Sequence, residues 1–570
     1  MAERTACTPL TRRLFSPQND NAVDRERLLP KAAAVVLPSG PGVFYAQCTR
    51  MSLFKRFVVK APLLGLCCMA LCPARAQAEE PHKENEPRVL KEPAEITQVA
   101  DAFDDDDDIF DLNLSLGFES TWTSSVIRRE STINQPGLGG GGYAQSNLNV
   151  AQYKQTTSRL LTRADIGLYK DIALVFRVPI ILSDDRELSG IAGSEGQQSV
   201  TLAGAPGEQL FSLPFKSPTR SGIEYLAVGI DAGLMNQMRN SARPTWVIGV
   251  EGRFSVSEPM HACNPNSNGL NQAGGQVQCA YPSDLNRNGK SGEYPNMDAG
   301  SLEGNFSGSR SPGISRGTTA LEGHTYLSRR LKYVEPYGGF RALVEFQNSS
   351  TDYGSTNLQG VLANHPPLRG TLLFGLNVIP WEIREQFQRI TMDFRFTGTY
   401  VSEGRDYSEL FDALGSSDAP SLRVPNYAEY MQNPNCTAST PCNEAPSVVN
   451  PKSEKVYFTG ITDVQAHGTY RLSSEFTWQA GEYIKFHVGT GYTLVQSHFI
   501  TFDQSCNPAF ASDSGKAGPC RSGGTAAGSG TTVTGTPNPN YRRVIDDPGQ
   551  RFKVDNSHAV DAWINATVMF

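Results

Sequence analysis

Three groups of side chains in this sequence could carry chemistry. The first is an oxygen-rich turn, Asp284-Leu285-Asn286-Arg287-Asn288-Gly289. Oxygen ligands at positions 1, 3 and 5 with glycine at 6 match the first half of a calcium loop of the EF-hand type. Such a loop closes with a bidentate Glu at position 12, where Pro295 stands instead. Glu293 or Asp298 could substitute. Asp284, Asn286, Asn288 and Glu293 would be the ligands if the loop takes Ca2+; the plain alternative is an Asn/Gly turn. No other cofactor is expected.

The second group is cysteine. Six lie beyond residue 78, in close pairs: Cys263 with Cys279, Cys436 with Cys442, Cys506 with Cys520. Six cysteines allow 15 pairings, but two per loop favours three local bridges, which need an oxidising compartment. No Cys-x-x-Cys pair points to redox chemistry.

The third group is ionisable residues that recur every second position. Glu119, Arg163, Arg177, Glu322, His324, Arg341, Asp393, Arg395, Arg471 and Lys485 head this set as expected lumen charges. Further members are Asp165, Asp231, Glu251, Arg253, Glu335, Glu345, Glu475, His487 and Asp561. They read either as a hydrated, weakly cation-preferring pathway or as a filled interior of mutually paired charge. Glu322 and His324 share one face and could act as an acid/base pair. The eight histidines show no metal-ligand spacing, and neither Gly-x-Ser-x-Gly nor His-Glu-x-x-His occurs. No enzyme is expected, and no catalytic residue is assigned.

The elements that must position these residues show a period of two. At the C-terminus Val560, Ala562, Ile564, Ala566, Val568 and Phe570 alternate with Asp561, Asn565 and Thr567, a strand with one greasy and one polar face. The same alternation begins at Phe110, Leu112, Leu114, Leu116 and Phe118. Twelve strands are expected: two flanking a loop near 125–155, then 172–182, 222–235, 243–257, 316–329, 333–347, 369–380, 388–402, 462–478, 482–498 and 558–570. Pro179 and Pro336 should interrupt the ladder locally. Long and short connections alternate strictly. Long loops at one end and short turns at the other mark a transmembrane barrel. Trp122, Trp246, Trp381 and Trp478 fall at strand ends or in a turn, as an aromatic girdle requires, while Trp563 falls on the interior register. Within 404–415, Leu410, Phe411 and Leu414 share one face of a short helix that Gly415 could end. This segment is either a lid over the barrel mouth or a helix covering its rim.

The front of the chain gives its address. Lys55, Arg56 and Lys60, an apolar core over 61–71 and Ala76-Gln77-Ala78 read as a signal peptide over 51–78. Residues 1–50 read as a mis-assigned start or a disordered extension. The polar stretch 79–108, with its acidic run 104–108, reads as a disordered periplasmic segment. The chain carries 51 Lys/Arg and 58 Asp/Glu; residues 1–50 hold seven and four, and residues 51–78 four and none. That leaves 40 and 54, a net of −14. Such a balance argues against nucleic acid as a partner.

From 109 to 570 the chain resembles the outer-membrane β-barrels of Gram-negative bacteria: all-β, transmembrane, antiparallel, about 12 strands, with long disulfide-bridged extracellular loops. That resemblance implies the lipid bilayer as a partner. It also implies the barrel-assembly machinery as a partner, through a last strand ending in Phe570. Stretches from Ser221-Gly222-Ile223-Glu224 and over Arg243-Pro244-Thr245-Trp246-Val247-Ile248-Gly249 resemble barrels of the phenol meta-cleavage pathway transporter type. The resemblance implies passive transport of a small solute, hydrophobic ones included; the bridged loops depart from that pattern. The expected function is a passive channel. The alternative is a surface-display or adhesion protein whose loops bind a partner or calcium above a filled barrel.

Overall fold

A computed structural model describes residues 94–100, 111–131, 146–204, 208–264, 278–280, 306–307, 311–348, 351–353, 363, 365–417, 419, 422, 459–504 and 541–570. The expected signal peptide, the calcium ligands Asp284, Asn286, Asn288 and Glu293, and Cys436, Cys442, Cys506 and Cys520 lie outside them. Cys263 and Cys279 form a disulfide.

Twelve strands make the wall: β1 Leu112–Ser131, β2 Ser146–Tyr169, β3 Ile172–Gly190, β4 Leu226–Met235, β5 Thr245–Phe254, β6 Thr318–Ser328, β7 Val334–Gln347, β8 Arg369–Ile383, β9 Gln388–Val401, β10 His467–Gln479, β11 Ile484–Val495 and β12 Phe552–Met569. Each pairs antiparallel with the next, and β12 pairs with β1. The ring is closed, so no strand edge meets lipid with unpaired backbone groups. Leu112 and the terminal Phe570 seal the seam with two backbone hydrogen bonds, of 3.1 and 2.9 Å.

The alternation seen in the sequence sets the two faces. Leu116, Ile230, Val250, Leu372, Phe394, Leu472, Val488 and Ile564 are exposed on the outside. Their cross-strand partners keep the same parity around the ring, so one apolar belt results. Aromatic rows bound it. Tyr169, Trp246, Tyr333, Trp381, Trp478, Tyr483 and Phe570 lie at the short-turn end, and Trp122, Phe254, Phe346, Tyr400, Tyr470 and Tyr492 at the loop end. Trp246 to Phe254 is eight residues, about 26 Å along a strand, the scale of a barrel's apolar band. The fold is that of an outer-membrane β-barrel.

Four boundaries differ most from the sequence expectation. β1 runs on to Ser131, β2 starts at Ser146, β3 reaches Gly190 and β12 starts at Phe552. These extensions rise above the belt, where polarity no longer alternates and the period of two gives no signal. The expected strand 222–235 splits into Arg220–Ile223 and Leu226–Met235, 462–478 into Thr462–Val464 and His467–Gln479, and 482–498 into Ile484–Val495 and a piece beginning at His498. Neither proline breaks its strand. Pro179 stays in register with Leu161 and Pro336 with Leu376. Their carbonyls still accept, from Glu224 at 2.9 Å and Arg329 at 3.2 Å, because proline removes only the donor.

Candidate functional site

The inward register of the wall delivers charge to the lumen, and the charges are mutually bonded. Arg177 Nε donates to Glu251 Oε2 at 2.6 Å. Arg253 bridges Glu251, at 2.8 Å, and Glu322, and Arg341 stands 3.9 Å from Glu322. Arg163 pairs with Asp165 at 2.8 Å and Arg395 with Asp393 at 3.0 Å. Tyr337 Oη donates to Asp393 at 2.6 Å and accepts from Arg395 Nε at 2.8 Å. Arg471 pairs with Asp561 and lies over the ring of Trp563. Paired charges of this kind persist where a lone one would be too costly.

Of the ten residues expected in the lumen, all but Glu119 line its two cavities. Glu119 accepts from Thr121 at 3.2 Å, and Lys485 reaches toward Gln98. The acid/base pairing that the spacing of Glu322 and His324 allows does not form. His324 Nε2 lies 3.0 Å from Asp231 Oδ1 instead, across β6 and β4. Gly249 on the intervening strand makes this possible, since a Cβ there would collide with both side chains.

A second correction concerns the N-terminal segment. Residues 94–100 are not a free periplasmic arm; they lie inside the barrel. Glu95–Thr97 form a single 3-10 turn. Ala94 packs with Tyr337 and Leu373, and Ile96 against them. Thr97 Oγ1 is 2.9 Å from Ser328 Oγ, which donates to Glu335 at 2.7 Å. Glu95 approaches His487 at 3.3 Å. Residues Glu95, Ile96 and Gln98 line two cavities. One of about 70 Å3 faces the short-turn end, and one of about 370 Å3 faces the loops. The segment therefore stands across the lumen between them. The larger cavity is bordered by Glu95, Asp231, Glu251 and Glu322 and by Arg163, Arg177, Arg341, Arg395 and Arg471, so its lining does not favour cations. The sequence signal available for this segment was its scattered apolar residues, Ala94, Ile96, Val99 and Ala100, in a polar stretch.

At the loop end the described parts of five long loops meet in one apolar core. Leu202, Leu210 and Phe211 come from the loop after β3, and Met260 and Ala262 from the loop after β5. Tyr353 comes from the loop after β7, Leu410, Phe411 and Leu414 from the loop after β9, and Phe502 and Ile545 from the loop after β11. They pack against the raised walls at Ile127, Tyr153, Leu188 and Phe552. The expected short helix is present as Phe411–Gly415, wholly buried. It is neither a free lid nor a rim cover but the centre of this roof. Arg220 grips Asp412 with two bonds, 3.0 and 2.6 Å, and Cys263 N adds a third to Asp412, at 3.0 Å. Short strands Gly404–Asp406, Thr462–Val464 and His498–Thr501 continue the wall upward beside β12.

Electrostatics in the roof differ from site to site. Burial would raise the Asp406 carboxyl, yet Arg316 and Arg369 outweigh it and hold it below its usual range. Asp546 has no such cation among its strongest influences. Burial pushes it up to about 7, although the backbone N–H groups of Phe502 and Arg542 bond to it.

No family model and no curated protein matches this sequence. Solved structures do. The COG4313 outer membrane channel from Pseudomonas putida F1 is 9% identical with a TM-score of 0.30, over 80% of this chain and 96% of that one. The deltaS2 mutant of the TodX monoaromatic hydrocarbon channel is 7% identical with a TM-score of 0.28, over 85% and 94%. The outer membrane protease OmpT from Escherichia coli is 8% identical with a TM-score of 0.23, over 81% and 96%. Likeness at these scores carries nothing about activity, and channels and a protease stand side by side among them.

Proposed function

We propose that this barrel is a gated passive channel of the Gram-negative outer membrane for small hydrophilic solutes. The supporting observation is the charged cavity of about 370 Å3, bounded below by a short segment that is no part of the wall. A structural filler would be built from wall side chains, whereas seven residues entering from the N-terminus can leave without breaking a strand. Five arginines and four carboxylates on the cavity lining suit hydrated, polar cargo better than hydrocarbon, because desolvating such a surface for an apolar guest is unfavourable.

Single-channel current through the folded protein in a planar bilayer tests this reading. The intact protein should be mostly closed. Removal of residues 94–100 should give discrete open steps or sharply raised noise, with folding checked by a heat-sensitive gel shift. If the deletion variant is folded and silent, and stays silent once the roof is loosened by Arg220→Ala, the barrel is an anchor for its loops and not a channel.

A further inference from the structure

His487 projects inward from β11, Glu475 from β10 and Glu95 from the luminal segment. One ligand atom from each lies within 4.8 Å of the others. His487 Nδ1 is 3.3 Å from Glu95 Oε2 and 3.5 Å from Glu475 Oε1. Ligand atoms about 2.0–2.2 Å from a tetrahedral zinc are roughly 3.4 Å apart, and both spacings are of that size.

Neighbours hold the trio in this attitude. Trp563 Nε1 donates to Glu475 Oε2 at 2.6 Å, leaving Oε1 turned to the histidine. His487 Nε2 is 3.4 Å from Thr567 Oγ1. With the ring proton on that side, Nδ1 turns its lone pair toward two carboxylate oxygens. Thr477 Oγ1, 3.0 Å from Nδ1, has one proton and can serve the nitrogen but neither facing oxygen. A divalent cation would satisfy all three atoms at once. The Glu95 side chain is 51% exposed to the lumen, which leaves an access route. Of the cations nearby, Lys485, two residues along β11, is turned toward Gln98 Oε1 at 3.5 Å, while Arg395 pairs with Asp393 at 3.0 Å and Arg163 with Asp165 at 2.8 Å.

We propose that Glu95, Glu475 and His487 bind a divalent transition metal of the Zn2+ class, with water in the fourth position, and that the metal fastens the luminal segment to the wall. An imidazole beside two carboxylates favours Zn2+ over Ca2+ or Mg2+, so this site is distinct from the oxygen-rich turn at 284–293. Metal binding holds whether or not the barrel conducts.

The test titrates Zn2+ into the purified, folded protein in competition with a chromogenic chelator. The expected result is one Zn2+ per chain more than in Glu95→Gln or His487→Ala, or at least about a tenfold weaker affinity in each variant. Excess Ca2+ should not compete. Glu95→Gln changes no wall residue, so loss of folding cannot mimic the result. Equal zinc binding by the parent and Glu95→Gln, or none by either, overturns the proposal and leaves a protonated imidazole shared by two carboxylates. Since the readout is binding and not current, it fails independently of the channel reading.

Discussion

The roof at the loop end and the segment across the lumen are held in different ways. The roof is an apolar core: Leu410, Phe411, Phe502 and Phe552 are all at most 1% exposed, and full burial of each such side chain stabilises by about 1.5–3 kcal/mol. The luminal segment packs Ala94 and Ile96 against Tyr337, Tyr326 and Leu373. It also buries Ala100, and its hydrogen bonds are each worth a net ~0.5–1.5 kcal/mol. A closure built on many buried rings is part of the folded body. A closure built on a few polar contacts can open within the working range of a protein. If the barrel conducts as proposed, the luminal segment is the part that gates, and the roof keeps its fold around the path.

The sharpest way to break this contrast is Arg220→Ala. Asp412 would then sit buried with its cation gone, at a cost of about 3–5 kcal/mol. The roof loops should be cleaved far faster by protease while the gel shift of the barrel stays unchanged. Unaltered loop cleavage would show that the roof does not depend on this pair. Leu410→Ala should act in the same direction at about 2–5 kcal/mol, read as faster hydrogen exchange in the roof and not in β4 to β7.

A pH scan separates the two closures further. Asp546 has its folded-state pKa raised to about 7, above its value in an unfolded chain. Between about pH 4 and 7 the folded roof holds a proton that the unfolded one has released, so its stability falls as pH rises through that window. Asp406 and Glu130 have lowered values and act oppositely, below about pH 4. For Glu130, burial is outweighed by Arg551 and the Gly549 N–H. Asp546→Asn should flatten the upper slope in roof hydrogen exchange and leave the acid limb in place. Retention of the slope in that variant would assign it elsewhere.

The smallest expected effect is at the luminal segment. Thr97→Ala removes the contact to Ser328 and should cost about 1 kcal/mol, close to a fivefold shift in the open population. Channel open probability should rise by that factor with roof proteolysis unaltered. A change in roof proteolysis would mean that the two closures are coupled.

How much of this was legible depended on range along the chain. The period of two is a property of the local backbone, so the strands inside the belt, their outward faces and the inward charges could be read directly from residues such as Leu226, Val228 and Ile230. The last strand, ending at Phe570, followed from the same pattern, whereas its pairing with β1 did not. The raised walls could not be read, because above the bilayer both faces of a strand are wet or covered by loops and selection for alternation stops. Nor could the roof. Arg220 and Asp412 are 192 residues apart, and their neighbours lie in Gly/Ser/Pro-rich stretches whose composition resembles any exposed loop.

The lumen shows the same division. Parity placed Glu322, His324, Arg253 and Asp231 inside but could not say that His324 faces Asp231 while Glu322 takes Arg253. Those choices depend on which strands neighbour one another and in what register once the ring has closed. The polar composition of 79–108 suggested an unbound arm, whereas a hollow polar interior can hold a polar segment that a dry core would reject. The sequence by itself determined a closed barrel with charge inside. Tertiary structure alone decided that the charge is paired, that the mouth is roofed and that Glu95 meets Glu475 and His487, since each of these brings together residues that no local period connects.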